Sequence, residues 1–90
     1  MRVVAEGHVE ITVRYFAIIR EIAGRSAERR LVSEGTTAGE FFDGLASEFP
    51  RLQRMKPVTM LMVNKAYVSN DHPLRDGDEL ALIPPVSGGE

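Results

Sequence analysis

The chain has 90 residues, of which 43% are hydrophobic and 27% are charged, and its formal net charge at pH 7 is −2. This length allows one domain with a modest core, and the slightly acidic balance argues against nucleic acid as a partner, because phosphate binding requires a clustered basic surface. The absence of cysteine excludes disulfides, thiolate nucleophiles and cysteine-ligated metal sites.

The basic residues and the apolar runs add two further expectations. The one basic cluster, residues 25–30, contains Glu28 and is expected to form a solvated strand and turn. No apolar run approaches the roughly 20 residues that span a bilayer, and the N-terminus lacks the apolar stretch of a signal peptide. We therefore expect a cytoplasmic protein that has no membrane partner.

The first third of the chain predicts two strands around a short helix. Residues 1–8 form an extension, and residues 9–15 then alternate apolar and polar with the period of a half-buried strand. Residues 16–23 have apolar positions at helical spacing, and Gly24 can end this turn. Residues 27–32 are expected to be a second strand that pairs back on the first.

The clearest predicted helix begins after Thr37. Thr37 and Glu40 have the spacing of a capping box, in which each side chain bonds to the backbone N–H of the other residue. Apolar residues then recur at helical spacing as far as Phe49, and Pro50 ends the helix.

The last third of the chain predicts three strands. Residues 51–57 are expected to be a polar connection, and residues 58–63 are apolar enough to form a central strand. Residues 66–68 follow across a tight turn at positions 64–65, and residues 79–83 form the last strand. The complete order predicts an α+β fold in which a mixed sheet of about five strands packs on one main helix.

No side-chain constellation indicates catalysis or metal binding. His8 and His72 lack metal-ligand spacing, and the acidic residues between Asp71 and Glu79 do not match a calcium-binding loop. No glycine-rich phosphate-binding motif is present. We therefore expect no metal, no bound cofactor and no catalytic machinery of the chain's own.

The C-terminal tail is the most informative segment. Pro84 and Pro85 stiffen the exit from the last strand, and Ser87, Gly88 and Gly89 carry no bulky side chain. Such a tail suits insertion into a narrow channel of another protein, whereas a frayed terminus is the alternative. The predicted organisation is a folded domain over residues 9–86 and a flexible tail over residues 87–90.

Four segments of the chain carry a family resemblance. They are ITVRYFA at 11–17, VNKAYVS at 63–69, DHPLRDGDE at 71–79 and PPVSGG at 84–89. In this order and spacing they resemble the ThiS/MoaD family of ubiquitin-like sulfur carriers, and within it the MoaD-type small subunits of molybdopterin synthase. The resemblance implies a ubiquitin-like β-grasp fold.

The resemblance also implies a function for the terminus. In that family a MoeB-like activating enzyme uses ATP to adenylate the C-terminal glycine carboxylate, here that of Gly89, and a sulfur donor converts it to a thiocarboxylate. The tail, with Gly88 and Ser87, enters a MoaE-like large catalytic subunit of molybdopterin synthase. There the sulfur is used for the dithiolene of the molybdenum cofactor. The chain is thus expected to be a non-catalytic carrier subunit.

A docking surface is expected beside the tail. Phe16, Tyr67 and Ile83 match positions that form an apolar patch in the family, and the resemblance assigns partner contacts also to Pro84, Pro85 and Val86. An outward-facing aromatic residue near the tail is consistent with a partner site. The alternative is that these residues are scattered surface or core positions.

The last residue departs from the family pattern. Because Glu90 follows Gly89, the reactive carboxylate is held in a peptide bond. We expect a C-terminal peptidase to remove Glu90. The alternatives are a divergent paralogue that only binds partners, and a glutamate that is foreign to the natural chain.

Other functions remain open at the level of sequence. A carrier of this kind could donate sulfur to cysteine, thiamine or tungsten-cofactor synthesis. A ubiquitin-like modifier would join the Gly89 carboxyl to lysines of target proteins, and a plain interaction domain would make no use of its tail.

Overall fold

The computed structural model describes residues 6–85, so the predicted tail and most of the predicted N-terminal extension lie outside it. Within these residues the structure has five strands and two α-helices, with a 3-10 helix between the second α-helix and the third strand. In chain order they are β1 (His8–Tyr15), α1 (Ala17–Ala23), β2 (Ala27–Ser33), α2 (Ala38–Glu48), the 3-10 helix (Pro50–Val58), β3 (Met60–Val63), β4 (Ala66–Val68) and β5 (Glu79–Ile83).

The five strands form one mixed sheet in the order β2-β1-β5-β3-β4. The first and last strands of the chain, β1 and β5, lie parallel at its centre, and every other neighbouring pair is antiparallel. Because two parallel strands need a long connection between them, the chain crosses through α2 before it returns in β5. The predicted α+β fold is confirmed.

The core lies between the inner face of the sheet and α2. Alternate residues of β1 and β5 are buried, as the period of two predicts. On the helix, Phe41, Phe42 and Leu45 are buried against them. The opposite surface of the sheet, called the outer face below, is left uncovered within residues 6–85.

Helix α2 begins at the predicted capping box, which is confirmed. The Glu40 backbone N–H donates to Thr37 Oγ1 at 3.1 Å, and the Thr37 backbone N–H donates to Glu40 Oε1 at 2.9 Å. Two further N–H groups at this end, those of Ala38 and Gly39, donate to backbone carbonyls of the β4–β5 connection at 2.8 Å. The start of the helix is therefore fixed both by its own side chains and by that connection.

The connection after α2 differs from the prediction. Residues 51–57 were expected to be a polar connection. They do connect α2 to β3, but they form part of the 3-10 helix, and β3 begins at Met60 rather than at position 58. Pro50 suits the first position because its missing N–H is not needed there, and the buried Leu52 attaches the helix to the core. Thr59 Oγ1 donates to the Met55 carbonyl at 2.6 Å and closes its last turn.

The basic cluster at positions 25–30 is also less solvated than predicted. Glu28 and Arg30 point to the inner side of edge strand β2, where the Glu28 side chain is only 13% exposed. Glu28 accepts hydrogen bonds from Arg25 at 2.8 Å and from Arg30 at 2.9 Å. It also accepts one from the hydroxyl of the buried Tyr15, and Arg30 bridges to Glu48 of α2 at 3.0 Å.

This network changes the acidity of its members. Burial and the neighbouring carboxylate of Glu28 raise the pKa of Tyr15 far above its usual value of 10.0. Burial alone would raise the pKa of Glu28, but the hydrogen bonds from Arg30 and Tyr15 and the nearby arginine charges outweigh it, so that pKa is lowered.

In the part of the chain that the structure describes, no helix has the length and apolar character needed to cross a membrane.

Candidate functional site

The register of the sheet places a row of side chains across the outer face. Arg14 on β1 pairs with Ala81 on β5, Ala81 pairs with Met62 on β3, and Met62 pairs with Tyr67 on β4. Paired residues share one face of a sheet, so these four side chains cross the outer face in a line. Two residues further along β5, Ile83 pairs with Met60 on β3 and lies on the same face.

Large apolar side chains of these rows, together with Phe16 just after β1, form a surface that we call the outer-face patch: Phe16, Met60, Met62, Tyr67 and Ile83. Tyr67 is 63% exposed, Met60 52% and Phe16 37%. Large exposed apolar side chains gathered on one surface are typical of a protein-interaction site. The three residues predicted for the patch, Phe16, Tyr67 and Ile83, all lie on this face.

Met60 and Met62 were missed by the sequence prediction. In the run Met60-Leu61-Met62-Val63 the two branched residues are buried and the two methionines face outward. The period of two contained this signal, but an all-apolar strand does not show which of its faces is covered. Methionine is well suited to such a surface, because its flexible side chain adapts to different partner shapes.

The backbone at Phe16 is unusual. Phe16 is the N-cap of α1 in an extended conformation, and Ala17 follows with a φ of 52°. This left-handed conformation is costly for a residue that carries a Cβ. Backbone strain of this kind tends to occur where a neighbouring side chain must be held in a particular place.

Three charged side chains border the patch. Arg14 Nη1 lies 3.3 Å from Glu79 Oε2, and the Arg14 guanidinium lies 5.9 Å from the centroid of the Phe16 ring. Lys65 is exposed in the tight turn between β3 and β4, where Asn64 and Lys65 both have positive φ as the predicted hairpin requires.

The end of β5 lies at the edge of the patch that contains Phe16 and Met60. The strand ends at Ile83, Pro84 is buried and Pro85 is exposed. The proline pair therefore starts the tail directly beside Phe16 and Ile83. The predicted tail residues Val86, Ser87, Gly88 and Gly89, together with Glu90, lie outside the described residues.

The site consists of an exposed apolar surface bordered by charged side chains. Among residues 6–85 no group of three or more histidine or acidic residues could hold a metal ion. His8 is exposed on β1, and His72 contributes its backbone carbonyl to the start of α2. What the described residues offer is an exposed apolar surface beside Pro84 and Pro85.

Comparison with known proteins agrees with this geometry. The sequence profile of the ThiS family matches residues 13–89. The molybdopterin synthase sulfur carrier subunit of Arabidopsis thaliana is 36% identical over 81 residues, which cover 90% of this chain and 84% of the relative.

Solved structures with this fold include a small archaeal modifier protein and a subunit of a molybdopterin-converting factor. SAMP1 from Haloferax volcanii has a TM-score of 0.77 and 31% identity, with 89% of this chain and 99% of that chain covered. A complex of subunits 1 and 2 of the molybdopterin-converting factor from Helicobacter pylori contains a chain with a TM-score of 0.61 and 27% identity. That match covers 90% of this chain and 100% of the Helicobacter chain, which is therefore a relative seen with a partner subunit. From its matched profile, its curated relative and its ubiquitin-like fold, the chain belongs to the ThiS family, among the relatives of the molybdopterin synthase sulfur carrier subunits.

Proposed function

We propose that this protein is the sulfur-carrier subunit of a molybdopterin synthase and carries sulfur as a thiocarboxylate on Gly89. The observation that carries the proposal is the position of the outer-face patch at the root of the tail. A partner that covers Phe16 and Ile83 also receives the chain end that follows Pro85. The curated relatives of the same family support this role over a general binding role.

The chemistry needs no side chain of the carrier. A carboxylate is a poor electrophile, so the activating enzyme joins the Gly89 carboxylate to the α-phosphate of ATP and releases pyrophosphate. A sulfur nucleophile then attacks the carbonyl carbon and AMP leaves, which gives the thiocarboxylate. ATP is thus a substrate of the activating enzyme and not a cofactor of this chain.

The partners of the proposed carrier follow from the two steps. An adenylating enzyme of the MoeB type loads the tail, and a large catalytic subunit of the MoaE type unloads it. Holding the thiocarboxylate beside the acceptor makes sulfur transfer effectively intramolecular, a gain of up to several kcal/mol. The stiff proline pair reduces the entropy that the tail loses on insertion.

Glu90 must be removed before this chemistry can occur. With Glu90 in place, the Gly89 carbonyl is an amide and adenylation would occur one residue too far along the chain. We therefore include a C-terminal peptidase in the proposed pathway. The proposal makes the processed chain, ending at Gly89, the active form.

The test compares the full chain with a variant that ends at Gly89. Each is incubated with the host's activating enzyme, ATP and a sulfide source, and adenylation is followed by ATP–pyrophosphate exchange. The Gly89-ended chain should support exchange and gain the mass of one oxygen-to-sulfur replacement, whereas the full chain should do neither. Failure of the Gly89-ended chain to support exchange with that enzyme would contradict the carrier function.

The second candidate is a protein modifier, because the small archaeal modifier SAMP1 shares this fold at 31% identity. A modifier would join Gly89 to lysine amines of other proteins. Immunoblots of the host under several growth conditions distinguish the two roles. A ladder of covalent conjugates supports the modifier, and a single free species supports the carrier.

A further inference from the structure

The outer-face patch contains a depression with a small residue at its floor. Ala81 lies in the middle of β5, with Arg14 on one side and Met62 on the other. Because the alanine side chain ends at Cβ, the longer neighbours surround an open pocket of about 310 Å³. Phe16, Met62 and Ile83 supply its apolar walls.

The rim of this pocket is charged, and the charges do not balance. Arg14 and Lys65 line it together with Glu79, so that two cations face one carboxylate. The Glu79 side chain is one-third exposed and bonds to Arg14 at 3.3 Å. Within residues 6–85, Lys65 forms no ion pair.

Docking over the patch would remove these charged groups from water. Arg14 and Glu79 can enter an interface as a pair, but Lys65 cannot be covered without an opposite charge, because an unpaired charge is costly to desolvate. The carrier leaves one positive charge for the partner to neutralise. Binding energy in interfaces is concentrated where a bulky side chain fills a central pocket.

We propose that the pocket over Ala81 is the anchor point of the docking surface. It receives one bulky apolar side chain of the large catalytic subunit, and a carboxylate of that subunit lies beside the anchor and faces Lys65 and Arg14. This inference rests on the proposed function, because it concerns the surface beside the tail. It adds the kind of partner surface that the carrier binds, namely an apolar side chain with a carboxylate beside it.

Other ligands fit the pocket less well. A nucleic-acid or lipid-headgroup site would need clustered cations free of carboxylates. Here Glu79 lines the pocket together with the two basic groups, and the walls are apolar. A protein surface that combines an apolar side chain with a carboxylate matches both features.

The test measures binding of three variants to the host's large catalytic subunit by calorimetry. The full chain and the Gly89-ended chain are each used as parent. Ala81→Leu fills the pocket, and Lys65→Glu reverses the uncompensated charge in an exposed turn. Arg29→Glu is the matched control, because it makes the same charge change as Lys65→Glu on the same face of the sheet. Arg29 lies on β2 opposite Thr12, two strands away from Ala81.

Each variant has a distinct expected result. Ala81→Leu should weaken binding by about 10-fold or more, since the anchor side chain is excluded. Lys65→Glu should weaken it by about 10-fold at low salt and by less at high salt, because screening reduces the new repulsion. Arg29→Glu should stay within about 2-fold of the parent at both salt concentrations.

The outcomes separate this inference from the proposed function. If neither parent binds the large subunit, the carrier function itself is overturned. If a parent binds and both Ala81→Leu and Lys65→Glu bind equally well, the anchor and its carboxylate are wrong while the carrier function stands. Tighter binding of Lys65→Glu would indicate a positive charge at that place on the partner, which contradicts the proposed carboxylate. Should Ala81→Leu fail to fold by circular dichroism, Lys65→Glu decides alone.

Discussion

At the scale of single residues, Gly39 of α2 is the one glycine among residues 6–85 at which an added Cβ would meet a neighbour within 4 Å. A Cβ built on Gly39 would lie 2.7 Å from Asn70 Cβ and 2.9 Å from the Asn70 carbonyl oxygen. The same carbonyl accepts the Gly39 backbone N–H at 2.8 Å. Glycine is therefore required here by the contact between helix and connection and not by its own φ.

This contact gives a prediction with a matched control on the same helix. Gly39→Ala should destabilise the fold by about 1–3 kcal/mol, because the connection must move away from the helix. Gly44→Ala should instead stabilise it by up to about 1 kcal/mol, because nothing lies within 4 Å of the new methyl group and alanine favours the helix. Urea unfolding of the two variants measures both effects. Equal midpoints would contradict the close contact at Gly39.

The sequence predicted this position only in part. The spacing of Thr37 and Glu40 is a local pattern, so the capping box could be predicted before the structure was known. The two helix glycines, Gly39 and Gly44, look alike in sequence. Only the fold distinguishes them, since the residue that approaches Gly39 comes from a connection about thirty positions later.

At the scale of elements, edge strand β2 is protected and held by its charged residues. Its free edge could pair with another chain, and inward-pointing charges are a known way to prevent this. Glu28 and Arg30 point inward, yet both are paired, so the same side chains also join β2 to Tyr15 and α2.

The network predicts a contribution to stability that depends on pH. The pKa of Glu28 is lowered in the folded state, so the unfolded chain binds more protons near its usual value of 4.5. The stabilisation from Glu28 is therefore fully present above pH 4.5 and is lost as pH falls through the lowered pKa. Tyr15 affects stability at alkaline pH. Because its pKa is raised in the folded state, the unfolded chain loses the hydroxyl proton first, and the fold loses stability as pH rises above 10.0.

Glu28→Gln tests the acid side of this behaviour. The variant should be less stable than the parent by about 1–3 kcal/mol at neutral pH, and the difference should shrink below pH 4.5. Glu48→Gln is the control, because Glu48 bonds to the same arginine but is 48% exposed, and it should cost less than about 1 kcal/mol. Thermal unfolding across the pH range provides the comparison. A Glu28→Gln difference that does not change with pH would contradict the charged network.

The elements differ in how well their sequences predicted them. The strands β1 and β5 alternate clearly, and α2 has both a cap and an apolar stripe, so their positions were predicted within one or two residues. The 3-10 helix has neither pattern. Its residues are mostly polar, and only Leu52 is buried, so the sequence predicted a polar connection but not its helical form.

At the scale of the whole molecule, the proposed function depends on how two distant parts of the chain meet. The parallel pairing of β1 with β5 places Phe16, near the start of the chain, next to Ile83 at the root of the tail. The sequence suggested these residues mainly through family resemblance, because no local pattern links Phe16 with Ile83. The charges that border Ala81 were not predicted at all, since they depend on the register of three strands.

The central claim concerns the end of the chain, and the intact mass of the protein isolated from its own host tests it most directly. The account predicts loss of the Glu90 residue, with a second species in which one terminal oxygen is replaced by sulfur. A mass that retains Glu90 in every preparation, including cells that are making molybdenum enzymes, would contradict it. The patch would then serve binding without sulfur transfer.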